Sequence, residues 1–399
     1  GTTGMKKLDR IDLYSKADYI KATTAGKTPK PIKTVHFEYT YQLCAGVPSN
    51  SNNGGKLTLK SIWFSYNGNI KQIKNKYIFT YNNNPNYNRS YNDRWGTYKP
   101  ATANPAGMNN MDYPYAPQDK TQADQYASAW ALSELQLPSG GKMNVTYESD
   151  DYAYVQNRRA AQMFAITGFG NTKTAAPSSQ LYTNSGDHFY VFVDIKTPTR
   201  DNELVQKYFE GVKQVYLRMA VKMPSDAYGS GYETIPVYAE INEYGMVPGN
   251  DHLLYIKVKP IDNNVSPMAS SAIRFLRDYL PSKAYPGSDI KLENGPKSVL
   301  LALNGMVQAV KNTFSDFENK TARRKNYCND VNLSQSFIRL NNPSFQKLGG
   351  GLRVKKIEIT DNFKLMNQKS PDGKGEEMQA ATYGQEYDYT TTTNLNGKT

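Results

Sequence analysis

The stretch Lys56-Leu57-Thr58-Leu59-Lys60-Ser61-Ile62-Trp63-Phe64-Ser65-Tyr66-Asn67-Gly68-Asn69 decides how this chain is read. Apolar, β-branched and aromatic residues alternate with polar ones, the period of a half-buried strand. Asn67-Gly68 then supplies a dipeptide that lets such a strand reverse. The same idiom returns at 35–41 (Val-His-Phe-Glu-Tyr-Thr-Tyr) and at 77–81, ahead of Asn82-Asn83-Asn84-Pro85. It appears again at 143–147 and once more at 383–389. The expected fold class is mainly β, an antiparallel multi-sheet architecture of sandwich or shell-like form, with one helical insertion.

Composition supports an ordered β protein with much surface. Mean hydropathy is −0.69, yet 12% of the 399 residues are aromatic and 31 of them are Tyr. Tyr suits strands with one wet face, because the ring packs while the hydroxyl stays hydrated. Disordered segments are poor in such residues. The net charge of +12 is spread along the chain, so it reads as solvated strand faces and edge-blocking lysines. It does not read as a nucleic-acid patch; an anionic glycan or membrane surface is the partner class it leaves open.

Two cysteines, Cys44 and Cys328, form neither a disulfide framework nor a metal cluster. Either they pair with each other or they are two buried thiols, and the sequence leaves both open. His36, His188 and His252 lie far apart, and His36 and His188 fall in strand-like runs, where they read as satisfied or half-exposed strand residues. No run approaches the ~18 apolar residues of a membrane-crossing helix. No apolar segment follows Lys6-Lys7 as in a signal peptide, and both chain ends read as cuts through something longer.

Four regions are expected. A β-rich segment spans 1–185 and holds a long Tyr/Asn loop at 82–122, beyond the ~12–15 residues of an ordinary connection. A second β unit spans 186–262, with a strand at 188–195 buried on both faces, a short helix at 202–214 and strands at 215–221, 236–241 and 253–258. A helical insertion spans 263–342: Ser266-Pro267 starts one helix, and Leu300, Leu301, Leu303, Met306, Val307 and Val310 mark another from Lys297. Strands resume over 343–399, where Gly349-Gly350-Gly351 signals a tight bend or bulge.

Candidate chemistry is sparse. Glu148, Asp150 and Asp151 form the tightest acidic group. They would serve glycoside hydrolysis only as carboxylates facing each other at about 5–9.5 Å, or Ca²⁺ as oxygen ligands; a solvated turn is the plainer reading. Otherwise no cofactor is expected. The glycine run precedes a strand, whereas phosphate-cradling loops open a helix. In the long loop, Tyr87, Tyr91, Trp95, Tyr98, Tyr113 and Tyr115 could form a sugar-stacking platform, with Tyr91, Trp95 and Tyr98 the leading candidates, set against a loop fastened to its own sheet by its rings.

Several phrases carry a family resemblance: 41–44 (Tyr-Gln-Leu-Cys), 55–64, 91–99 (Tyr-Asn-Asp-Arg-Trp-Gly-Thr-Tyr-Lys), 137–141 (Leu-Pro-Ser-Gly-Gly), 147–155, 350–357 and the closing Tyr387-Asp388-Tyr389. Together they resemble the very large secreted or cell-surface proteins of Bacteroidota, some of which carry RHS/YD-type β-repeats. The resemblance implies a segment of a giant extracellular protein, exported by the type IX route and attached at the cell surface. RHS-type relatives wrap sheet into a shell around a toxin or other cargo. This chain lacks their regular repeat period, and no catalytic residue carries over. The expected function is therefore a non-enzymatic scaffold or shell segment. Its partners would be the rest of the same polypeptide, other surface or secretion-system proteins, or anionic glycans. The alternatives are an adhesin or glycan-binding module and, more distantly, a glycoside hydrolase.

Overall fold

The computed structural model describes residues 6–48, 54–225, 229–261, 264–284, 317–361 and 381–389. The expected helix from Lys297 lies outside them. The chain forms two compact units: unit 1 comprises 1–103, 118–151 and 348–399, and unit 2 comprises 104–117 and 152–347.

Unit 1 is built on β1 (Arg10–Leu13), β2 (Lys33–Leu43), β3 (Lys56–Tyr66), β4 (Tyr77–Thr80), β5 (Glu134–Gln136), β6 (Lys142–Tyr152), β17 (Lys347–Thr360) and β18 (Thr382–Glu386). These make one eight-stranded sheet in the order β1-β2-β3-β4-β5-β6-β17-β18. The helices α1 (Lys16–Thr24) and α2 (Lys120–Ala127) start on side-chain caps from Ser15 and Asp119. Each cap satisfies a backbone N–H that the first turn leaves open.

The decisive stretch is a strand, but its most buried face is a polar one. On β3 the deeply buried positions are Thr58, Ser61, Trp63 and Ser65, while Ile62 and Phe64 are half-buried. That face is closed by hydrogen bonds, as burial of polar groups requires. Trp63 stacks on His36 with ring centroids 3.7 Å apart, and His36 Nε2 meets Ser65 Oγ at 2.9 Å. The Glu38 carboxylate accepts from Ser61 at 2.5 Å, Trp63 Nε1 at 3.1 Å and Lys76 Nζ at 2.6 Å. Burial pushes Glu38 up, but the hydrogen bonds from Lys76, Ser61 and Trp63 outweigh it and hold the carboxyl below its ordinary range.

The glycine run at the start of β17 has a steric cause. Gly349 and Gly350 take φ of +123° and +95°, and a Cβ on Gly349 would overlap the Trp95 ring. Gly349→Ala should therefore destabilise unit 1 by about 1–3 kcal/mol, through backbone strain and displacement of the indole. All three tryptophans, Trp63, Trp95 and Trp130, belong to unit 1, so a urea titration followed by indole fluorescence checks this.

Unit 2 is a closed antiparallel barrel of β9 (Ala161–Gly170), β12 (Tyr190–Asp194), β13 (Gln214–Lys222), β14 (Tyr232–Met246), β15 (Leu253–Val258) and β16 (Val331–Asn341), in the order β12-β15-β14-β13-β16-β9. Strands β13, β14 and β15 follow one another as hairpins, and β16 returns to lie beside β13, a Greek key. Two ribbons complete the unit, β7 (Tyr154–Val155) with β8 (Arg158–Arg159), and β10 (Tyr182–Thr183) with β11 (Gly186–Asp187). Period-2 alternation fills the interior: Val215, Leu217, Met219 and Val221 from β13 are buried with Ile235, Val237 and Ala239 from β14. As expected, β12 is buried nearly throughout.

The helix α3 (Pro267–Tyr279) starts at Ser266 with Pro at its first position. It places Met268, Ala269, Ala272, Ile273 and Leu276 in the same apolar cluster; a short helix, α4 (Pro281–Ala284), follows it. The segment expected as a helix at 202–214 forms a 3₁₀ turn at Asp201–Glu203 and a single π-helical turn at Val205–Phe209.

Two further expectations are corrected, and the open alternative for the cysteines is decided. The boundary at 185/186 separates β9 from β12, which hydrogen-bond to each other, so no unit boundary falls there, and the second unit comprises 104–117 and 152–347. The 263–342 region is not a helical insertion alone: it ends in β16, whose pairing with β13 and β9 completes the barrel. Cys44 and Cys328 are both free and buried; Cys328 Sγ lies 3.7 Å from Met223 Sδ in the barrel core, and the pairing is not formed. Among the described residues no helix is long and apolar enough to cross a membrane.

Candidate functional site

The outward face of the barrel carries a row of side chains that the register lines up across three strands. Tyr216 on β13 is directly opposite Tyr238 on β14 and Arg339 on β16. All three alternate with buried neighbours (Val215, Leu217, Val237, Ala239, Ile338 and Leu340), so the pleat turns them outward. The Tyr216 and Tyr238 rings are 5.1 Å apart and inclined at 48°. The Arg339 guanidinium lies 4.9 Å from the Tyr216 centroid and 5.7 Å from that of Tyr115. The row Tyr115–Arg339–Tyr216–Tyr238 thus sets one cation between two rings and adds a third ring at its end. Tyr238 is 64% exposed, too open for its ring to act mainly as core packing.

This row belongs to a cleft of about 1290 Å³ within unit 2. One wall is the β7–β8 hairpin, whose two-residue turn puts Gln156 and Asn157 at φ of 49° and 63°, the left-handed pair of a type I′ turn. The other walls come from 210–214, from Glu240, Asn242 and Tyr244 of β14, and from Lys259 and Asn341. Arg159 fastens the hairpin. Its Nη1 and Nη2 donate to Gln206 O at 2.9 Å and Asn342 O at 2.6 Å, and its guanidinium stacks on Phe345 at 3.3 Å. Burial lowers the Arg159 pKa, opposed by Tyr154 and Glu210, and its buried Nε finds no acceptor among the described residues.

Chemically the cleft offers ring faces, fixed cations and side-chain amides. No nucleophile–base pair stands out among its lining residues, and its two carboxylates are bound to cations: Glu240 to Lys259 at 2.9 Å and Glu210 to Arg159 at 3.4 Å. A smaller depression of about 270 Å³ in unit 1 is lined by polar groups already bonded to one another. There Asn83 Nδ2 donates to Ser128 Oγ and Asp124 Oδ1 accepts from Ser149 N.

Of the loop aromatics singled out in the sequence, Tyr115 lines the cleft, and the leading candidates lie elsewhere. Tyr91, Trp95 and Tyr98 are in unit 1, where they pack rather than form a platform. Tyr98 makes edge contacts with Tyr91, Tyr126 and Trp130, and Trp95 covers Gly349 and Gly350. The loop is fastened by its rings. Glu148, Asp150 and Asp151 are on β6, not in a solvated turn. Arg353 Nε donates to Glu148 at 2.7 Å, its Nη1 lies 3.0 Å from Asp151, and Lys120 is 3.4 Å from Glu148. A carboxylate group neutralised by Arg and Lys is an ion-pair network rather than a calcium cage or a facing catalytic pair. Among the described residues no three His, Cys, Asp or Glu side chains converge as a metal site would need. His188 Nδ1 meets Gln180 O at 2.7 Å, a satisfied histidine.

Apart from Tyr115, the cleft residues were missed because each is unremarkable alone. The available signal was the outward set of an alternating strand, Tyr216 and Arg218 on β13 and Tyr238 and Glu240 on β14; only the register brings Arg339 beside them. No protein-family model, curated protein or solved structure matches the chain.

Proposed function

We propose that the chain is a non-enzymatic, glycan-binding segment of a large secreted or cell-surface protein. The observation that carries this reading is the Tyr115–Arg339–Tyr216–Tyr238 row in the cleft, half-buried over its first three members and exposed at Tyr238. Rings with wet tips stack on the C–H faces of sugars, while fixed guanidinium and amide groups bond hydroxyls. The extracellular setting, the kinship with Bacteroidota surface proteins and a type IX route rest on the sequence phrases and belong to the same proposal. A scaffold role is favoured by a separate feature, the eight-stranded sheet of unit 1, whose last strand β18 is exposed at every residue. Such an edge accepts another strand of a longer sheet. The two roles sit on different units and do not compete.

Titration against a glycan array tests the binding role. Tyr238→Ala should weaken the best glycan about tenfold or more, the loss typical of a central aromatic anchor. Because Tyr238 is so exposed, the barrel should stay folded. Trp95→Ala should leave affinity unchanged. Loss of binding in Trp95→Ala but not in Tyr238→Ala would place the site in the long loop and sink the cleft reading.

A further inference from the structure

We infer that the barrel cleft selects acidic glycans, with Arg339 as the group that reads the carboxylate or sulfate. This rests on the glycan-binding reading and adds the ligand's charge. Five cations line the cleft, Arg158, Arg159, Lys213, Lys259 and Arg339, against two carboxylates, Glu210 and Glu240. Arg159 and Lys259 are matched by those two acids. Five minus two leaves three positive charges, on Arg158, Lys213 and Arg339, with no acidic partner among the described residues.

Concave low-dielectric walls of one sign concentrate the field on a ligand of the other sign. Arg339 is the best placed of the three. Its guanidinium lies over the Tyr115 and Tyr216 rings, 5.7 and 4.9 Å from their centroids, and makes no hydrogen bond to a described residue. A planar fork held in that way fits a carboxylate or sulfate through two parallel bonds. Single-stranded nucleic acid also uses rings and cations; the amides of Asn157 and Asn242 suit the hydroxyl groups of a sugar chain, and the thymidine oligomer in the test separates the two.

The test uses the whole chain and matched probes at low ionic strength: hexagalacturonate and its methyl ester, a sulfated galactan oligomer and its desulfated form, and a thymidine dodecamer. At least one acidic probe should bind about tenfold or more tighter than its neutral counterpart, with the gap narrowing as salt rises. Which acidic probe shows the gap tells carboxylate from sulfate recognition. Arg339→Met should cut acidic affinity about tenfold more than it cuts neutral affinity, collapsing the preference. Arg158→Gln and Lys213→Gln, both exposed and outside the packed core, should each cost about threefold. Equal binding of acidic and neutral probes, or an Arg339→Met protein with the preference intact, overturns the inference while sparing the glycan reading. Tightest binding by the thymidine oligomer overturns it in favour of nucleic acid. Silence from every glycan, acidic and neutral, overturns both.

Discussion

Replacing Arg353 with methionine is expected to lower the stability of unit 1 by about 3–5 kcal/mol, the cost of stranding buried charge. Arg353 spans Glu148 and Asp151 at 2.7 and 3.0 Å, and both carboxylate side chains are only 11% exposed. Lys120 remains near Glu148 at 3.4 Å, but it is 43% exposed and a weak substitute. Without the guanidinium, both carboxylates lose the cation that bridges them while staying desolvated. The triple change Arg353→Met, Glu148→Gln, Asp151→Asn should recover much of the loss, since replacing every member of a buried network is far milder than removing one. Urea midpoints read by indole fluorescence decide it. A loss below about 1 kcal/mol for the single variant would mean that the network behaves like a solvated surface pair.

Lys347→Met is expected to act in the opposite direction on unit 2. The Lys347 side chain is fully buried and donates to Ala116 O at 2.6 Å, with no carboxylate partner among the described residues. Burial pulls its pKa from 10.5 down to about 7. The folded protein therefore binds fewer protons than the unfolded chain between about pH 7 and pH 10.5, and stability rises with pH across that window. Below it both states are charged and the slope vanishes. At about 1.4 kcal/mol for each tenfold step in proton affinity, the cost at pH 7 is about 4–5 kcal/mol. Methionine removes that cost and forfeits one hydrogen bond of about 1–2 kcal/mol. The net expectation is a gain of about 2–4 kcal/mol at pH 7, shrinking to nothing or reversing near pH 10.5. Scanning calorimetry at the two pH values measures it; the same gain at both would show that the lysine carries no charge penalty.

How far the sequence reaches can be judged from particular elements. Strands β2, β3, β4, β6 and β18 stand where the aromatic alternation places them, because period-2 patterning is a local property. The start of α3 at Ser266-Pro267 is legible for the same reason. Barrel closure is not. It depends on β9 meeting both β12 and β16, pairings between distant segments, and nothing in 161–170 alone declares its partners. The aromatic loop misleads because Trp95 and Tyr98 look like a display when read along the chain. Their rings instead fill space against glycines 349–350 and against Tyr126 and Trp130. The Tyr216–Tyr238–Arg339 row is the converse: three ordinary residues, far apart in sequence, made neighbours by register alone.

The most direct test of the central claim is hydrogen–deuterium exchange on the whole chain with and without the best-binding glycan. The account predicts that protection gathers in peptides covering 154–161, 210–216, 238–244 and 339–341, the segments that line the cleft. Exchange across 82–103 should be unchanged. Protection confined to 82–103, or spread along the unit 1 sheet with the barrel untouched, would contradict it.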